Sequence, residues 1–568
     1  MVWTGGNVEY SEMQEAAPYW FNGVVALAYQ LDNVRLKSQA LNFLDYMIAH
    51  QDATTGWFGP VAFNLTDVVP GTPLLLWPRY MTMLGLVQYA EADSTQTDRI
   101  VTLLHNFLPV VQDLANAGSL NASTQYYGFQ FSYQWVRWEE LVYTLEWLYD
   151  NYPRGMEAEL LDLMTAARNQ GFSWKTEFFV EGKFPTQADT ASTESYYSAD
   201  EHLAGLGPSR GTELCAIVEE MFSLSTNYQV FGEPSWADLV EQLAYNALPA
   251  SNTPDFWQHQ YLQQTNQIWA KDHLDGFPWQ FQDTDDSYSN VFGLESNYPC
   301  CTVNHPQGYP KFWANSFVQG ASGALVHAYL GPTSFSGTVG SANTVKVAVD
   351  TLYPFGSTLS YTISSTKAFS FSIRIPTWAQ NLTSSITING GKAQSVSANL
   401  TTALHTINLA KGNNKIELNL DMRIRIESRS NGSALQSGKS PPALGFVVNE
   451  LEAEFHNVPA QDLTTTTNTT DITYTYTSPW NIAIDPSTLV VYDNSSMVTS
   501  LPYYVWDVAA QPIYMTATAC EIKWDLYAGD PDWPPASPNN CTGTPFNVTL
   551  RPYGGTRLRL AELPTMSL

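Results

Sequence analysis

The spacing of apolar residues changes once along the chain, close to residue 330, and this change limits the folds that are possible. Before it, apolar residues recur at helical spacing, and one such stripe consists of Leu214, Ile217, Val218, Met221 and Phe222. After it, short runs alternate between apolar and polar residues, as at 344–349, 369–375, 385–388 and 415–420. Alternation between Gly, Asn and Ser turns is typical of antiparallel strands. The sequence therefore predicts a helical part followed by a β part.

The helical part consists of predicted helices in pairs joined by short loops. Two apolar-periodic stretches run from about Ser11 to Leu31 and from about Val34 to His50, and others begin near Trp77, Thr97, Ser132, Met156, Thr212, Ser235 and Pro306. No fixed short repeat links them, which favours a closed helical toroid over a solenoid.

The chain of 568 residues is too long for a single hydrophobic core. We predict a helical catalytic domain over residues 1–325 and a β-sandwich region over residues 326–568, in one or two modules. The Thr-rich stretch 457–477 is predicted to be an exposed insertion.

The charge of the chain excludes several classes of partner. Acidic residues number 54 and basic residues 26, so the formal net charge is −28. Such a field repels a phosphate backbone, and we expect no binding to nucleic acid. No apolar run approaches the ~20 residues that span a bilayer, and no basic amphipathic stretch suits a membrane surface.

The distribution of Asn-x-Ser/Thr sequons predicts a secreted, extracellular glycoprotein. The nine sequons begin at Asn64, Asn121, Asn381, Asn399, Asn431, Asn468, Asn494, Asn540 and Asn547. The N-terminal residues have neither a basic start nor an apolar signal core. We therefore expect that a signal peptide was removed or that the natural beginning lies before Met1.

The five cysteines divide into two groups. Cys520 and Cys541 flank a Pro- and Asn-rich loop, and we predict a disulfide between them worth about 3 kcal/mol. Cys300 and Cys301 are adjacent, and a disulfide between neighbours is strained and rare. Together with Cys215 they suggest a cluster of thiolates.

A chemically sensible partner for these thiols is Glu213. The turn 207–211 precedes a predicted helix with Thr212 as its N-cap, which places Glu213 and Cys215 in the first turn. Free N–H groups there favour negative charge and lower a thiol pKa. Glu213, Cys215, Cys300 and Cys301 would form a tetrahedral Cys3Glu zinc site. The alternative is that Cys215 is an ordinary core residue and that Glu213 is a favourable helix charge.

Several other residues are candidates for chemistry or sugar binding. Asp200 and Glu201 lie just upstream and are either a general acid/base or part of a solvated loop. Asn266 and Gln267 either contact substrate or make loop hydrogen bonds, and Trp20 either contacts sugar or packs in the core.

Two other functions are also compatible with these residues. In one, Asp200 or Glu201 works with Glu213 as a carboxylate pair without zinc, as in inverting hydrolases or unsaturated-uronide hydrolases. In the other, the chain is a carbohydrate-binding protein that has lost activity.

The sequence resembles glycoside hydrolase family 127 and its neighbours, the β-L-arabinofuranosidase clan, in a secreted, fungal-type branch. The matching stretches are VEYSEMQEAAPYWFNGVVALAY, SADEHLAGLGPSRGTELCAIVEEMFSL, YLQQTNQI, YPCCTVN and SPWNIAID. The resemblance implies an (α/α)6 barrel followed by antiparallel β-sandwich domains. It implies zinc held by Glu213, Cys215, Cys300 and Cys301, with Cys300 as nucleophile and Glu201 as acid/base. The expected substrate is an oligo- or polysaccharide of plant or microbial cell walls.

The chain departs from the best-known branch of that family in two respects. That branch has prolines after the paired cysteines, where this chain has Thr302 and Val303, and it binds its sugar with several histidines that have no evident counterparts here. These departures leave the zinc chemistry in place and put the β-L-arabinofuranoside specificity in doubt. Nine or ten barrel helices are recognisable where twelve are expected, so we expect the first hairpin to lie before Met1.

Overall fold

The computed structural model describes most of the chain and divides it into two compact units. One unit comprises Met1–Glu194 and Thr302–Lys311, and the other comprises Ser195–Cys301 and Phe312–Leu568. The residues described are 16–59, 76–120, 133–173, 208–209, 211–272, 288–294, 299–320, 323–379, 383–423, 425–428, 434–437, 445–448, 453–459, 470–527 and 529–566. The domain boundary at 325/326 stays a prediction.

Helices dominate the described residues before position 315. They are α1 (Ala16–Gln30), α2 (Val34–Ala49), α3 (Trp77–Ala92), α4 (Thr97–Asn116), α5 (Tyr133–Val136), α6 (Trp138–Asn151), α7 (Glu157–Gln170), α8 (Leu214–Phe231), α9 (Pro234–Gln242), α10 (Leu248–Ala250), α11 (Pro299–Asn304) and α12 (Gly308–Ala314). A π-helical turn, Leu243–Ala247, joins α9 to α10. Among the helices described, none is both long and apolar enough to cross a membrane.

The helices of the first unit alternate between two layers. Helices α1 and α3 are buried on nearly all sides and pack on each other. Helix α2 packs on α1, α4 packs on α3, and α7 packs on α4 and α6. Helix α4 buries a single stripe that includes Ile100, Leu104, Phe107 and Val111, as an outer helix should. This alternation of inner and outer helices agrees with a double ring, whereas the complete (α/α)6 barrel stays a prediction.

Strands dominate from residue 317 onwards. The strands are β1 (Gly211–Glu213), β2 (Leu262–Gln264), β3 (Asn266–Gln267), β4 (Trp269–Ala270), β5 (Phe317–Gly320), β6 (Ala324–His327), β7 (Ser334–Val339), β8 (Asn343–Thr351), β9 (Thr358–Ser365), β10 (Phe369–Arg374), β11 (Ser385–Ile388), β12 (Gln394–Ser395), β13 (Leu404–Leu409), β14 (Gly412–Asn419), β15 (Arg425–Ser428), β16 (Ala434–Ser437), β17 (Gly445–Val448), β18 (Ala453–Pro459), β19 (Thr470–Tyr476), β20 (Ile482–Asp493), β21 (Ile513–Glu521), β22 (Leu526–Tyr527), β23 (Asp530–Pro531), β24 (Phe546–Pro552), β25 (Arg559–Leu560) and β26 (Glu562–Leu563).

Two sheets form a sandwich in the middle of the chain. One has the order β13-β10-β6-β5 and the other β12-β11-β14-β9-β8-β7. In β8 the side chains of Val345, Val347 and Val349 are buried while their neighbours are exposed, so one face of the strand lines the core. Tyr361 of β9 contacts His327 of β6 and Phe371 of β10, which shows that the two sheets face each other.

The C-terminal strands reach back to short strands in the segment before residue 301. Strand β25 pairs with both β17 and β3, and β19 pairs with β4. The alternating pattern of the sequence predicted strands only beyond residue 330. Strands β1 to β6 all lie before that residue and were not predicted. Strands of two to four residues are too short to produce a visible period, and their positions depend on partners that are distant in sequence.

A buried ion-pair network holds helix α9 against the sandwich. The Arg374 side chain of β10 is fully buried and forms ion pairs with Asp238 and Glu241 of α9. Tyr353 donates a hydrogen bond of 2.7 Å to Glu241, and the Leu330 backbone N–H donates another of 2.8 Å. Because each buried charge has a partner, breaking one side of this network would leave an unpaired charge at a cost of roughly 3–5 kcal/mol.

Candidate metal centre

Four possible metal-ligating side chains converge in the second unit. They are Glu213, Cys215, Cys300 and Cys301, and one donor atom from each lies within 4.8 Å of all the others. The Sγ atoms of Cys215 and Cys301 are 3.2 Å apart, and Cys301 Sγ is 3.9 Å from Glu213 Oε1. The three cysteines are free thiols, so the short sulfur–sulfur distance is not a disulfide.

The first half of the cluster lies where a short strand turns into a helix. Glu213 ends β1 and has extended backbone angles, and α8 begins at Leu214. The sequence predicted Thr212 as the N-cap, and this was wrong by one residue, since Thr212 pairs with Gln263 in the β1–β2 ladder. Glu213 therefore occupies the N-cap position, and Cys215 lies in the first turn of α8.

The second half of the cluster comes from the start of α11, where Cys300 and Cys301 follow Pro299. Cys301, Cys215 and Glu213 are each at most 5% exposed. Cys300, in contrast, is partly exposed. Of the four donors, Cys300 is thus the one that a molecule in solvent could approach.

The electrostatics of the thiols single out the same residue. Hydrogen bonds from the Cys215 and Cys301 thiols hold the pKa of Cys300 well below its usual range. Burial raises the pKa of both Cys215 and Cys301. These opposite directions make Cys300 the most acidic of the three thiols.

The donor chemistry of the cluster fits a soft or borderline divalent metal. Three thiols and one carboxylate match the ligand number and types of tetrahedral zinc sites. Calcium and magnesium prefer sites made of oxygen alone, and this cluster has one such residue. The four residues therefore form a candidate metal site.

The two amide side chains that were predicted to bind sugar form hydrogen bonds inside the protein. Asn266 Oδ1 accepts hydrogen bonds from the Ala561 and Glu562 backbone N–H groups at 2.9 and 3.0 Å. Gln267 donates to the Arg557 carbonyl at 2.6 Å and accepts from the Gln264 N–H at 3.0 Å. Both side chains are fully buried, as the loop-hydrogen-bonding alternative requires. Their contact with substrate stays a prediction.

The remaining predicted residues fall elsewhere. Trp20, on α1 in the first unit, packs edge to face on Phe43 with ring centroids 5.6 Å apart, and its sugar-binding role stays a prediction. Asp200 and Glu201 lie outside the described residues. Cys520 and Cys541 form a disulfide with an S–S distance of 2.04 Å.

The sequence did not reveal a buried polar contact on β2, the strand that pairs with β1. The buried Asp530 carboxyl accepts hydrogen bonds from Gln264 at 2.8 Å and from Trp269 at 2.9 Å. Asp530 belongs to a Pro- and Asn-rich stretch that is typical of a plain loop, and nothing local indicates burial.

One segment of the chain matches a known family model, and the chain as a whole shares its fold with solved structures. Residues 327–422 match the sequence model described as β-L-arabinofuranosidase, GH127 middle domain. A solved GH127 β-L-arabinofuranosidase from Geobacillus stearothermophilus T6 is 13% identical, with a TM-score of 0.59 over 98% of this chain and 91% of that one. A solved GH127 β-arabinofuranosidase is 14% identical, with a TM-score of 0.60 over 99% of this chain and 89% of that one. No curated protein sequence matches the chain.

The match of one segment to the GH127 middle domain, together with the shared fold, supports a glycoside hydrolase. The predicted resemblance to glycoside hydrolase family 127 is confirmed, because one segment matches its middle domain and the whole chain shares the fold of its solved members.

Proposed function

We propose that this protein is a secreted, retaining glycoside hydrolase of the β-L-arabinofuranosidase type, acting on cell-wall glycans. Cys300 is its nucleophile, Glu201 is its acid/base, and Glu213, Cys215, Cys300 and Cys301 would hold a zinc ion. The observation that carries the proposal is the convergence of three free thiols and one carboxylate within 4.8 Å, with only Cys300 among them partly exposed. Zinc, when bound, would keep these thiols deprotonated and fixed in position.

The reaction follows from what these side chains can do. The Cys300 thiolate attacks the anomeric carbon, the glycosidic C–O bond breaks, and Glu201 gives its proton to the leaving oxygen. A water molecule then loses a proton to Glu201 and attacks the same carbon, and the C–S bond breaks. Two displacements retain the anomeric configuration and return the Cys300 thiolate.

The thiol cluster favours this mechanism over a pair of carboxylates. Glu213 lies among three sulfur atoms and is 4% exposed, so it is poorly placed to activate a water molecule. A carboxylate-pair enzyme also has no need of metal, which makes metal content a direct discriminator.

The test combines turnover with metal quantitation on the purified protein. We expect hydrolysis of one or more aryl L-arabinofuranosides or pyranosides, retention of configuration by NMR, and about one zinc per chain. Cys215→Ala should lose zinc. Ser225→Ala, which also removes one buried polar atom from α8, should keep it. Active wild-type protein without zinc would refute the thiolate mechanism, and sugar binding without turnover would favour a binding protein.

A further inference from the structure

The Asp530 carboxyl is completely buried, although it lies in a loop far along the chain from the metal cluster. It belongs to β23, within the loop that the Cys520–Cys541 disulfide closes. Its oxygens accept hydrogen bonds from two neutral donors, Gln264 Nε2 at 2.8 Å and Trp269 Nε1 at 2.9 Å. Burial raises the pKa of Asp530 to about 7, and the positive charge of Lys271 opposes this rise. Burying a carboxyl is costly, so its presence here calls for a reason.

Gln264 connects this carboxyl to the strand that precedes the metal ligands. The same Nε2 atom that donates to Asp530 also donates to the Ser209 carbonyl at 2.6 Å. The Gln264 backbone pairs with Gly211 in the β1–β2 ladder, and Arg559 donates to its carbonyl oxygen at 2.9 Å. A Cβ atom at Gly211 would lie 2.9 Å from the Leu262 side chain, so β1 and β2 are in close contact. Gln264 is thus held on several sides against the start of β1.

Strand β1 leads directly into the metal cluster. Glu213 pairs with Leu262, and the Leu214 N–H donates to the Tyr261 carbonyl at 3.0 Å. The position of β2 therefore sets both the Glu213 carboxylate and the first turn of α8, which carries Cys215. Metal sites tolerate ligand displacements of only about 0.2 Å, and hydrogen-bonded groups outside the ligand shell commonly change metal affinity about 10–100-fold.

We propose that Asp530 is a positioning residue of the metal centre, acting through Gln264 and Ser209 on the strand that carries Glu213. This role rests on the proposed function, because it requires that the cluster binds a metal. It gives the disulfide-closed loop of the C-terminal region a specific purpose, since that loop fixes the geometry of ligands more than 300 positions earlier in the chain.

Asp530→Asn tests this role because an amide cannot make the same contacts. The carboxyl accepts from both Gln264 and Trp269, whereas the new amide has a single acceptor, so its Nδ2 group meets one of these two donors. Where Nδ2 faces the Gln264 Nε2 group, donor lies against donor. Turning the Gln264 amide brings its Oε1 atom, which accepts no hydrogen bond from the described residues, toward the new amide. That rotation also turns Oε1 toward the Ser209 carbonyl, placing acceptor against acceptor. With Nδ2 toward Gln264, at least one link in the chain is lost in either orientation of the Gln264 amide; with Nδ2 toward Trp269, only the hydrogen bond from Trp269 is lost.

The probe is cobalt(II), whose thiolate charge-transfer absorption reports binding without any substrate. At about pH 8, we expect Asp530→Asn to weaken cobalt binding, measured by chelator competition, by roughly 10–100-fold. Gln264→Met removes the donor of the same link, whichever way the new amide at position 530 is turned. It should weaken cobalt binding similarly, and it is the decisive variant.

Two control variants separate positioning from general destabilisation. Asp525→Asn removes the same charge from an exposed site in the same loop and should leave cobalt affinity unchanged. Trp269→Phe removes the other hydrogen bond to Asp530, on the side away from Gln264, and should lower the melting temperature with little change in cobalt affinity.

The outcomes distinguish this inference from the proposed function. Wild-type cobalt affinity in both Asp530→Asn and Gln264→Met overturns the positioning role and leaves the proposed function intact. Equal losses in Trp269→Phe and Gln264→Met would show that Asp530 acts only on stability, and this also overturns the role. A wild-type protein that binds no cobalt refutes the metal centre itself and the positioning role with it.

Discussion

The five cysteines of this chain fall into two regions of opposite chemistry. Near the C-terminus, Cys520 and Cys541 form a disulfide, and their sulfur atoms lie 3.0 and 3.4 Å from Met566 Sδ. In the earlier region, the Cys215 and Cys301 sulfurs approach to 3.2 Å without a bond. Cys520 and Cys301 are both fully buried, so burial alone does not tell the two regions apart. The surroundings do, because among the described residues only the earlier region brings a carboxylate together with its sulfur atoms.

The largest effect that this contrast predicts follows from Cys300→Ser. A neutral hydroxyl is a poor nucleophile and a poorer zinc ligand, so turnover should fall on the order of 10⁴-fold or more. The measurement is kcat on an aryl glycoside, with zinc content determined in the same sample.

Cys301→Ser is the matched control, because it makes the same atomic change at a fully buried neighbour. Excess zinc should restore part of the activity of Cys301→Ser and none of the activity of Cys300→Ser. Equal restoration of both variants would mean that Cys300 is a metal ligand and not the nucleophile.

The next largest effect should come from Glu201→Gln. The amide keeps the size of the side chain but carries no transferable proton, so we expect a rate reduction of roughly 10²–10⁴-fold with zinc retained. Substrates with activated aryl leaving groups should lose less, because those groups depart without protonation. Asp200→Asn is the neighbouring control. Wild-type turnover of an unactivated substrate by Glu201→Gln would move the acid/base role to Asp200 or Glu194.

The sequence predicted the long elements of the fold and missed the short ones. Helical stretches expected to begin near Trp77 and Thr97 do begin there. The alternating run 385–388 is a strand over the same residues. These elements bury a regular stripe or face, which leaves a period in the sequence. Strands such as β3 have two residues and exist only because β25 pairs with them.

The candidate site was predictable for a similar reason and only in part. Its four residues, Glu213, Cys215, Cys300 and Cys301, are of types that can be recognised as metal ligands from the sequence alone. The surrounding contacts are not visible in this way. Asp530 and Gln264 are ordinary polar residues until the fold brings them within 2.8 Å of each other.

Removing the disulfide should affect stability much more than chemistry. Replacing Cys520 and Cys541 together with Ser opens a loop with a sequence separation of 21 and should lower the free energy of unfolding by about 3 kcal/mol. Metal affinity and kcat should change by less than about threefold, since the cross-link acts mainly on the unfolded chain. Denaturant titration and chelator competition measure the two quantities. A large loss of metal affinity would instead make the disulfide part of the positioning of Asp530.

The last expected effect is a pH dependence at Asp530, the residue that links the two regions. Its pKa is raised to about 7 in the folded protein, chiefly by burial, against about 3.9 for an unfolded chain. Between these values the folded state keeps a proton that the unfolded state has released. The stabilisation is therefore complete below about pH 4 and is lost as the pH rises to about 7.

Relative to Asp530→Asn, the wild-type free energy of unfolding should fall by up to about 1.4 kcal/mol per pH unit across this interval. Urea denaturation of both proteins at several pH values measures the difference. Other titrating groups, including Glu91, whose pKa is raised by desolvation, contribute equally to both and cancel. Parallel slopes would mean that the Asp530 carboxyl is ionised throughout, and that the hydrogen bonds from Gln264 and Trp269 outweigh its burial.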